Sequence, residues 1–202
     1  MEPNVGKDGQ VTDQPVGDKS GLRAQIRARR RIRMADPTES RALAQRISDL
    51  LGVPTAPVAS YLAMASEPPT QEVNSLLGRV LVPRTSMSIE PTLEWVEFQS
   101  GDPVSRSRLG MDEPTGPAVG VGAQPLLDCA AVIIPSVAID FDGRRLGQGG
   151  GYYDRVLADL PVSIPVITLL FDDEIVDDVF AEPHDATVDV CITPNRILRF
   201  SR

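Results

Sequence analysis

The sequence predicts a single Rossmann-like α/β domain of three layers, in which helices flank a mixed and mostly parallel sheet. Segments with helical periodicity alternate with short apolar runs, and this alternation is typical of layered α/β folds. The strongest run, residues 130–139, is almost continuously apolar, as expected of a central strand covered on both faces. A polar tail over 1–18 is expected to be disordered. Residues 19–202 are expected to form the one domain, because no linker is long enough to separate two.

Two helices are expected before the sheet. The segment 19–34 lacks proline and repeats apolar residues at helical spacing, and Asp18 is a suitable N-cap. A second helix follows Asp36-Pro37 and ends at Gly52. Beyond it we expect strands at 58–62, 79–83, 92–98 (a more exposed one), 130–139, 162–171 and 188–192, short helices at 72–77 and 152–160, and mostly loop over 100–125.

The composition is that of an ordinary globular protein. The 202 residues are 42% hydrophobic and 24% charged, with a formal net charge of −8. Such an acidic chain does not attract nucleic acid or an anionic membrane surface, so neither is expected as a partner. Cys129 and Cys191 lie in apolar runs and are expected to be core thiols. The single histidine, His184, leaves little room for a histidine metal site or a Ser-His-Asp triad.

No targeting or membrane segment is visible in the sequence. The first 18 residues are polar and rich in glycine and proline, whereas a signal peptide needs a basic start and an apolar run. The longest apolar stretch has about ten residues, which is too short to span a bilayer. These features predict a soluble, cytoplasmic protein, and we expect it to be a monomer.

The most informative stretch, residues 135–155, follows the strongest strand and precedes a helix. In open α/β sheets, ligands bind beyond the carboxyl ends of the strands. Closely spaced glycines let the backbone approach a ligand, and their N–H groups with the start of the next helix favour an anion such as phosphate. Arg144 and Arg145 flank the glycines, and Asp154 could hold a metal ion that bridges phosphates. The glycines are Gly147, Gly149, Gly150 and Gly151.

Two familiar phosphate motifs do not account for this stretch. The P-loop string G-x-x-x-x-G-K-[ST] does not occur in the chain. The dinucleotide fingerprint fails at its third glycine, where Tyr152 stands. From the glycines alone, a turn that binds no ligand is as reasonable as a phosphate site.

The string RLGQGGGYYDR, preceded by IIPSVAIDFDG, resembles the signature of the 5-formyltetrahydrofolate cyclo-ligase family. The resemblance runs from about residue 19 to 196. Its other elements are the pair Lys19 and Arg23, SYLAMASEPPT (60–70) with Glu67 at the acidic position, LVPR (81–84), LGMDEP (109–114) and HDATVDVCITP (184–194). The chain departs from the family pattern at Pro68, Glu174 and Phe180.

The resemblance implies conversion of 5-formyltetrahydrofolate to 5,10-methenyltetrahydrofolate, with ATP as co-substrate and Mg²⁺ as cofactor. The formyl oxygen would attack the γ-phosphate of ATP. The folate N10 would then attack the phosphorylated intermediate, and phosphate would leave. No protein nucleophile is required, so the protein must position groups and neutralise charge.

The resemblance also implies roles for individual residues. Catalytic roles are implied for Lys19, Arg145 and Tyr152. ATP binding is implied for Lys19, Arg23, Arg144, Arg145, Leu146, Gly147, Gln148, Gly149, Gly150, Gly151, Tyr153 and Asp154. Folate binding is implied for Leu62, Met64, Glu67, Gly149, Gly151 and Tyr152. Mg²⁺ binding is implied for Asp154 and Asp185.

Three alternatives remain open at this point. The chain could be a folate- or nucleotide-binding relative without turnover, and Pro68 beside Glu67 keeps that reading open. An NAD-dependent oxidoreductase is disfavoured by Tyr152. An RNA-binding protein could use the seven basic residues of segment 19–33, although no aromatic residues are interleaved with them.

Overall fold

The computed structural model describes residues 17–86, 92–182 and 185–201. Residues 1–16 of the tail that was predicted to be disordered, and His184, therefore lie outside the described residues. The helices are α1 (Lys19–Ile32), α2 (Pro37–Leu51), α3 (Gln71–Leu77) and α4 (Tyr152–Ala158), with short 3₁₀ helices at Gln124–Leu126 and Asp172–Glu174. The strands are β1 (Val58–Ala59), β2 (Val80–Thr85), β3 (Leu93–Phe98), β4 (Val104–Arg106), β5 (Asp112–Pro114), β6 (Ala118–Val121), β7 (Ala131–Pro135), β8 (Ala138–Ile139), β9 (Arg145–Leu146), β10 (Val166–Leu169), β11 (Val190–Ile192) and β12 (Ile197–Arg199).

The main sheet is mixed and mostly parallel, as the sequence predicts. Its eight strands lie in the order β12-β11-β10-β7-β1-β2-β3-β6. The five central strands, from β11 to β2, are parallel to one another. The outer strands β12, β3 and β6 are antiparallel to their neighbours. Parallel strands connected by helices require both faces of the sheet to be covered.

Helices cover both faces and complete the three predicted layers. On one face, Leu43 and Ile47 of α2 pack with Ile133 and Ile167 of the central strands. On the other face, Leu157 of α4 belongs to a cluster with the inward-facing residues of β7 and β3. The single Rossmann-like α/β fold is confirmed.

The ends of the first two helices agree with the sequence analysis. The side chain of Asp18 accepts a hydrogen bond from the Gly21 backbone N–H (2.7 Å), and Asp36 caps α2 in the same way. The second helix ends at Gly52, which has a φ of 62°. Glycine adopts this left-handed conformation without steric cost, so the helix ends where the sequence indicates.

Two predictions of local structure were wrong. The apolar run 130–139 is two strands, because β7 ends at Pro135 and β8 then pairs with β9 instead of the main sheet. The strand β3 is mostly buried, and its Leu93 and Trp95 belong to a core cluster. The segment 100–125 is mostly loop, as predicted, although it also contains the short strands β4, β5 and β6.

The cysteine prediction is confirmed. Cys129 and Cys191 are buried free thiols. Burial raises the pKa of Cys129 to about 11 and that of Cys191 to about 12, so both stay protonated near neutral pH. Within the described ranges, no helix combines the length and apolar character needed to cross a membrane.

Candidate active site

A cavity of about 440 Å³ opens at the carboxyl ends of the parallel strands β1, β2 and β7. Tyr61 and Leu62 follow β1, Arg84 lies near the end of β2, and Pro135 ends β7. The fourth wall is the segment 147–151, called the glycine loop below. The cavity therefore lies where an open α/β sheet binds its ligands, as the sequence predicts.

The glycine loop takes a path that few other residues can follow. Gly149 has a φ of 99°, and Gly151 has a φ of 67° at the position that caps α4. Side chains with a Cβ are strained in this region, which explains the glycines at these positions. The loop connects β9 directly to α4, so its position is set by two elements of the core.

Arginines of α1 hold the glycine loop by its carbonyl groups. Arg23 donates from Nε to the Gly147 carbonyl oxygen (2.8 Å), and Arg27 donates from Nη2 to the Gln148 carbonyl oxygen (2.9 Å). Among the described residues, none accepts a hydrogen bond from the loop's own backbone N–H groups. With the carbonyls engaged on one side, these N–H donors are left for an anion.

Arg145 is the most deeply buried cation of the cavity wall. Its side chain is 2% exposed, and Nη2 donates to a carboxylate oxygen of Asp154, which is half-buried. Burial lowers the pKa of Arg145, while the charges of Asp154 and Asp185 oppose that effect. Within the described part of the chain, no acceptor reaches its buried Nε. A buried donor without an acceptor costs about 1–3 kcal/mol, and a ligand oxygen would supply what is missing.

Lys19 is the first residue of α1. Its Nζ donates to Asp185 (2.6 Å) and to Glu182 (2.5 Å). These contacts raise its pKa although burial opposes the charge. An ammonium group has three donors, so one remains for an oxygen of a ligand. The charge of Asp185 also acts on Arg145, which places the lysine, both carboxylates and the arginine in one charged cluster.

Glu67 also lines the cavity and is 7% exposed. Its Oε2 accepts from the Met64 backbone N–H (3.0 Å), and its Oε1 accepts from the side-chain amide of Gln148 (3.0 Å). Burial raises the pKa of Glu67, and these bonds together with the charge of Arg30 partly offset burial. A buried carboxylate with remaining lone pairs can recognise paired N–H donors of a planar ring.

Two tyrosines border Glu67. Tyr61 is buried, and its hydroxyl has no hydrogen-bond partner among the described residues. Burial raises the pKa of both Tyr61 and Tyr153, and the charge of Glu67 adds to this. Both phenols therefore stay protonated and can donate hydrogen bonds.

The structure brings most of the predicted site residues to this cavity. Its lining includes Leu62, Met64, Glu67, Arg145, Gly147, Gln148, Gly149, Gly150, Gly151, Tyr152, Tyr153 and Asp154. Lys19, Arg23 and Asp185 are not among the lining residues. Arg23 reaches the lining through its bond to the Gly147 carbonyl oxygen, whereas Lys19 and Asp185 bond to each other and are linked to the lining by the charge of Asp185, which acts on Arg145. Leu146 is buried in the core.

The structure does not bring Arg144 to the cavity. Its guanidinium pairs with Asp140 (2.7 Å) and Asp142 (2.9 Å) in the turn before β9. Arg144 and Arg145 are successive residues of extended chain, so their side chains lie on opposite sides. The predicted ATP-binding role of Arg144 gains no support from this position.

Several residues of the lining were not singled out from the sequence. They are Arg27, Tyr61, Pro83, Arg84, Thr85, Leu93, Leu109, Met111, Asp112, Glu113 and Pro135. For some of them the sequence contains a signal. Arg27 follows Arg23 at the same interval of four residues that separates Lys19 from Arg23. The motifs LVPR and LGMDEP contain others. No comparable signal marks Leu93 or Thr85.

Most of the basic residues in and after α1 have partners within the chain. Besides Lys19, Arg23 and Arg27, Arg30 forms a buried pair with Glu174, and Arg33 bonds to Glu39 and Asp173. Arg33 also lies over the ring of Phe171, 3.9 Å from its centre. A helix whose cations face carboxylates and carbonyls of its own protein does not resemble a nucleic-acid arm.

Comparison with known proteins shows to which family the chain belongs. The sequence model of the 5-formyltetrahydrofolate cyclo-ligase family matches residues 15–194. The chain belongs to this family. A 5-formyltetrahydrofolate cyclo-ligase of Mycolicibacterium smegmatis is 32% identical over 146 residues, which cover 69% of this chain and 74% of that protein.

Solved structures agree with this assignment. The fold is similar to that of a 5,10-methenyltetrahydrofolate synthetase of Aquifex aeolicus, with a TM-score of 0.68, 25% identity and coverage of 91% of this chain and 93% of that one. A 5,10-methenyltetrahydrofolate synthetase from Mycoplasma pneumoniae shares the fold with a TM-score of 0.66 at 21% identity, over 88% of this chain and 99% of that one. The cyclo-ligase fold is therefore present along nearly the whole chain.

Proposed function

We propose that this protein converts 5-formyltetrahydrofolate to 5,10-methenyltetrahydrofolate, using ATP and Mg²⁺ and releasing ADP and phosphate. One observation carries the proposal beyond family membership. The glycine loop and the buried carboxylate of Glu67 line one cavity, and Gln148 of the loop bonds directly to Glu67. Phosphoryl transfer to a folate needs this arrangement, because the two substrates must meet.

The phosphate end is the glycine loop with its cations. The loop N–H groups and the guanidinium of Arg145 would donate hydrogen bonds to the γ-phosphate oxygens, and Lys19 would use its third donor there. Fixed donors of this kind stabilise the charge that spreads over the transferred phosphoryl group. Tyr152 starts α4, and its ring lies so close to Gly150 that a Cβ there would be 2.9 Å from ring atom Cδ2. Tyr152 lines the cavity beside the loop, so its ring would contact both substrates.

The residues present fit a magnesium ion. Mg²⁺ is commonly bound by one or two carboxylates together with substrate phosphates. Asp154 and Asp185 would supply two such carboxylates, and the charges of both act on Arg145. When bound, the ion would neutralise negative charge on the phosphates. Each carboxylate would keep its bond to Arg145 or Lys19 through a second lone pair.

The folate end is Glu67 with the side chains around it. The carboxylate would accept hydrogen bonds from N–H groups of the pterin ring, and Leu62, Met64 and Tyr152 would contact the faces of the ring. A ring that lacks these donors would leave a buried carboxylate unpaired, and this penalty supplies specificity.

The chemistry then needs no nucleophile from the protein. The formyl oxygen bonds to the γ-phosphorus while the bond to the ADP oxygen breaks. N10 next bonds to the formyl carbon, phosphate leaves with the formyl oxygen, and the N10 proton is lost. The two cysteines are buried and protonated, which agrees with a reaction that bypasses them.

The proposal is tested by turnover of the purified protein with 5-formyltetrahydrofolate, ATP and Mg²⁺, measured by the near-ultraviolet absorption of the product. We expect product only when all three are present, strong loss in Lys19→Ala, and wild-type turnover in Arg79→Ala. Arg79 is a matched control, because its ion pair with Glu97 is exposed. Folded protein that binds both ligands without forming product would instead be a non-catalytic relative. The cytoplasmic location and the monomeric state stay predictions.

A further inference from the structure

The side chain of Gln148 connects three parts of the molecule. Gln148 belongs to the glycine loop, its Oε1 accepts from Nη2 of Arg27 in α1 (2.7 Å), and its Nε2 donates to Oε1 of Glu67 (3.0 Å). Residues 67 and 148 are 81 positions apart in the chain. The contact therefore joins the predicted phosphate wall of the cavity to the predicted folate wall.

The chemistry of the two partners allows only one orientation of this amide. A guanidinium has donors and no acceptor, so the amide oxygen must face Arg27. An ionised carboxylate has acceptors and no donor, so the amide nitrogen must face Glu67. The main-chain carbonyl of Gln148 also accepts from Arg27 (2.9 Å), which fixes the residue at a second point. The donor aimed at Glu67 is therefore held in place before any ligand arrives.

We propose that Gln148 is a positioning residue for the folate: its side-chain amide holds Glu67 ionised and oriented, and Arg27 in turn orients Gln148. The inference rests on the proposed function. The side chain of Gln148 would serve folate binding, whereas its backbone would contact the phosphates. Glu67 accepts one bond at each oxygen from the protein and keeps the other lone pairs for the N–H donors of the ring.

The charged and titratable groups around Glu67 make this donor important. Arg30 of α1 favours the ionised form, whereas Glu174 opposes it. Tyr61 after β1 and Tyr153 of α4 face the same carboxylate as neutral phenols. Burial already disfavours the charge of Glu67. Without the amide of Gln148, we expect the carboxyl to bind its proton more tightly and to lose its fixed orientation.

Two variants separate this role from simple support of the loop. Gln148→Glu keeps the acceptor for Arg27 and strengthens that contact, but it replaces the donor that faces Glu67 with a second carboxylate. Gln148→Met has similar length and loses both contacts. If Gln148 only supports the loop, Gln148→Glu is the milder change. If it positions Glu67, Gln148→Glu is the more harmful one, because like charges repel and an acceptor faces an acceptor.

The measurement is steady-state turnover across pH, with the KM for 5-formyltetrahydrofolate and the KM for ATP determined separately. We expect the folate KM to rise about tenfold in Gln148→Met and about a hundredfold in Gln148→Glu, since a hydrogen bond to a charged group contributes about 1.5–3 kcal/mol. The acid limb of kcat/KM for the folate should move to higher pH in both. The KM for ATP should stay near wild type. Gln45→Ala is the control, because Gln45 is exposed and its side chain bonds to Asp49 within α2.

Three results would overturn the inference. These are an unchanged folate KM in both variants, a milder effect in Gln148→Glu than in Gln148→Met, or a rise in the ATP KM equal to the rise in the folate KM. The unfolding midpoint of each variant shows whether it is folded, and its ATP KM reports on the loop separately. If the wild-type protein makes no methenyl product, the proposed function fails before this question arises, so the two failures are distinguishable.

Discussion

Two buried arginines illustrate how one residue type serves the fold in one place and a site in another. Arg30 and Glu174 are each 2% exposed, and the guanidinium donates to both carboxylate oxygens (2.6 and 2.8 Å). Arg30 also donates to the Ser136 carbonyl oxygen (2.9 Å). Arg145 is equally buried, but its partner Asp154 is 28% exposed and its Nε has no acceptor among the described residues.

The pKa values of the two arginines shift in opposite directions, in agreement with this difference in pairing. Burial opposes the charge of both. The bonds and charge of Glu174 outweigh burial at Arg30 and leave its pKa raised, whereas burial prevails at Arg145 and its pKa is lowered. A fully paired arginine is complete without a ligand, and an incompletely paired one is stabilised when an anion arrives. We therefore assign Arg30 to the fold and Arg145 to the reaction.

The largest effect is expected at Arg145. Arg145→Ala should lower turnover about a thousandfold or more, because it removes the cation that we propose neutralises the transferred phosphoryl group. The unfolding free energy should change less than in a variant of Arg30, since solvent can reach Asp154. Turnover and urea unfolding measured on the same sample check both statements. Arg144→Ala is the adjacent control, and turnover close to wild type is expected because its guanidinium lies outside the cavity.

At Arg30, the main effect of a substitution is expected on stability. Arg30→Met should destabilise the protein by about 4 kcal/mol, because it leaves Glu174 charged, buried and unpaired. The double variant with Glu174→Leu should recover most of that loss, since an apolar pair of similar size replaces the ion pair. Thermal unfolding, with a midpoint lowered by roughly 10 °C in the single variant, measures this effect. A single variant as stable as wild type would remove the distinction between the two arginines.

A smaller effect is expected from pH. The pKa of Glu67 is raised above its ordinary value of 4.5 by burial, so the carboxyl is protonated at pH values where a surface glutamate is still ionised. A protonated carboxyl loses acceptor sites for the pterin donors. The kcat/KM for the folate should therefore fall as pH falls through a value above 4.5, and Glu67→Gln should remove this limb while lowering the plateau. An acid limb that persists in Glu67→Gln would belong to another group.

Much of the fold could be predicted because it depends on local signals. The caps at Asp18 and Gly52 and the apolar strands are properties of short segments. The break after Pro135 was not predicted, because the bond of Arg30 to the Ser136 carbonyl oxygen joins residues 106 positions apart. The pairing of β8 with β9 is a local hairpin, which the continuous apolar run concealed. The ion pair of Glu174 could not be predicted either, since its partner Arg30 is 144 positions away.

In the candidate site, too, the residues marked by a local sequence motif were predictable. The glycine loop, Arg145, Asp154 and Glu67 were found through a motif, and all lie on the cavity wall. Arg144 was included with Arg145 although neighbouring residues of an extended chain face opposite sides. The contact of Gln148 with Glu67 required the three-dimensional structure, because no sequence pattern links the two residues.

The most direct test of the account is the fate of the formyl oxygen. With ¹⁸O in the formyl group of 5-formyltetrahydrofolate, the account predicts that the released inorganic phosphate carries the label, one atom per methenyl product, when mass spectrometry is applied to the products of a reaction with ATP and Mg²⁺. Unlabelled phosphate, with the label in water, would contradict it, because the ring would then close without transfer of the phosphoryl group to the formyl oxygen.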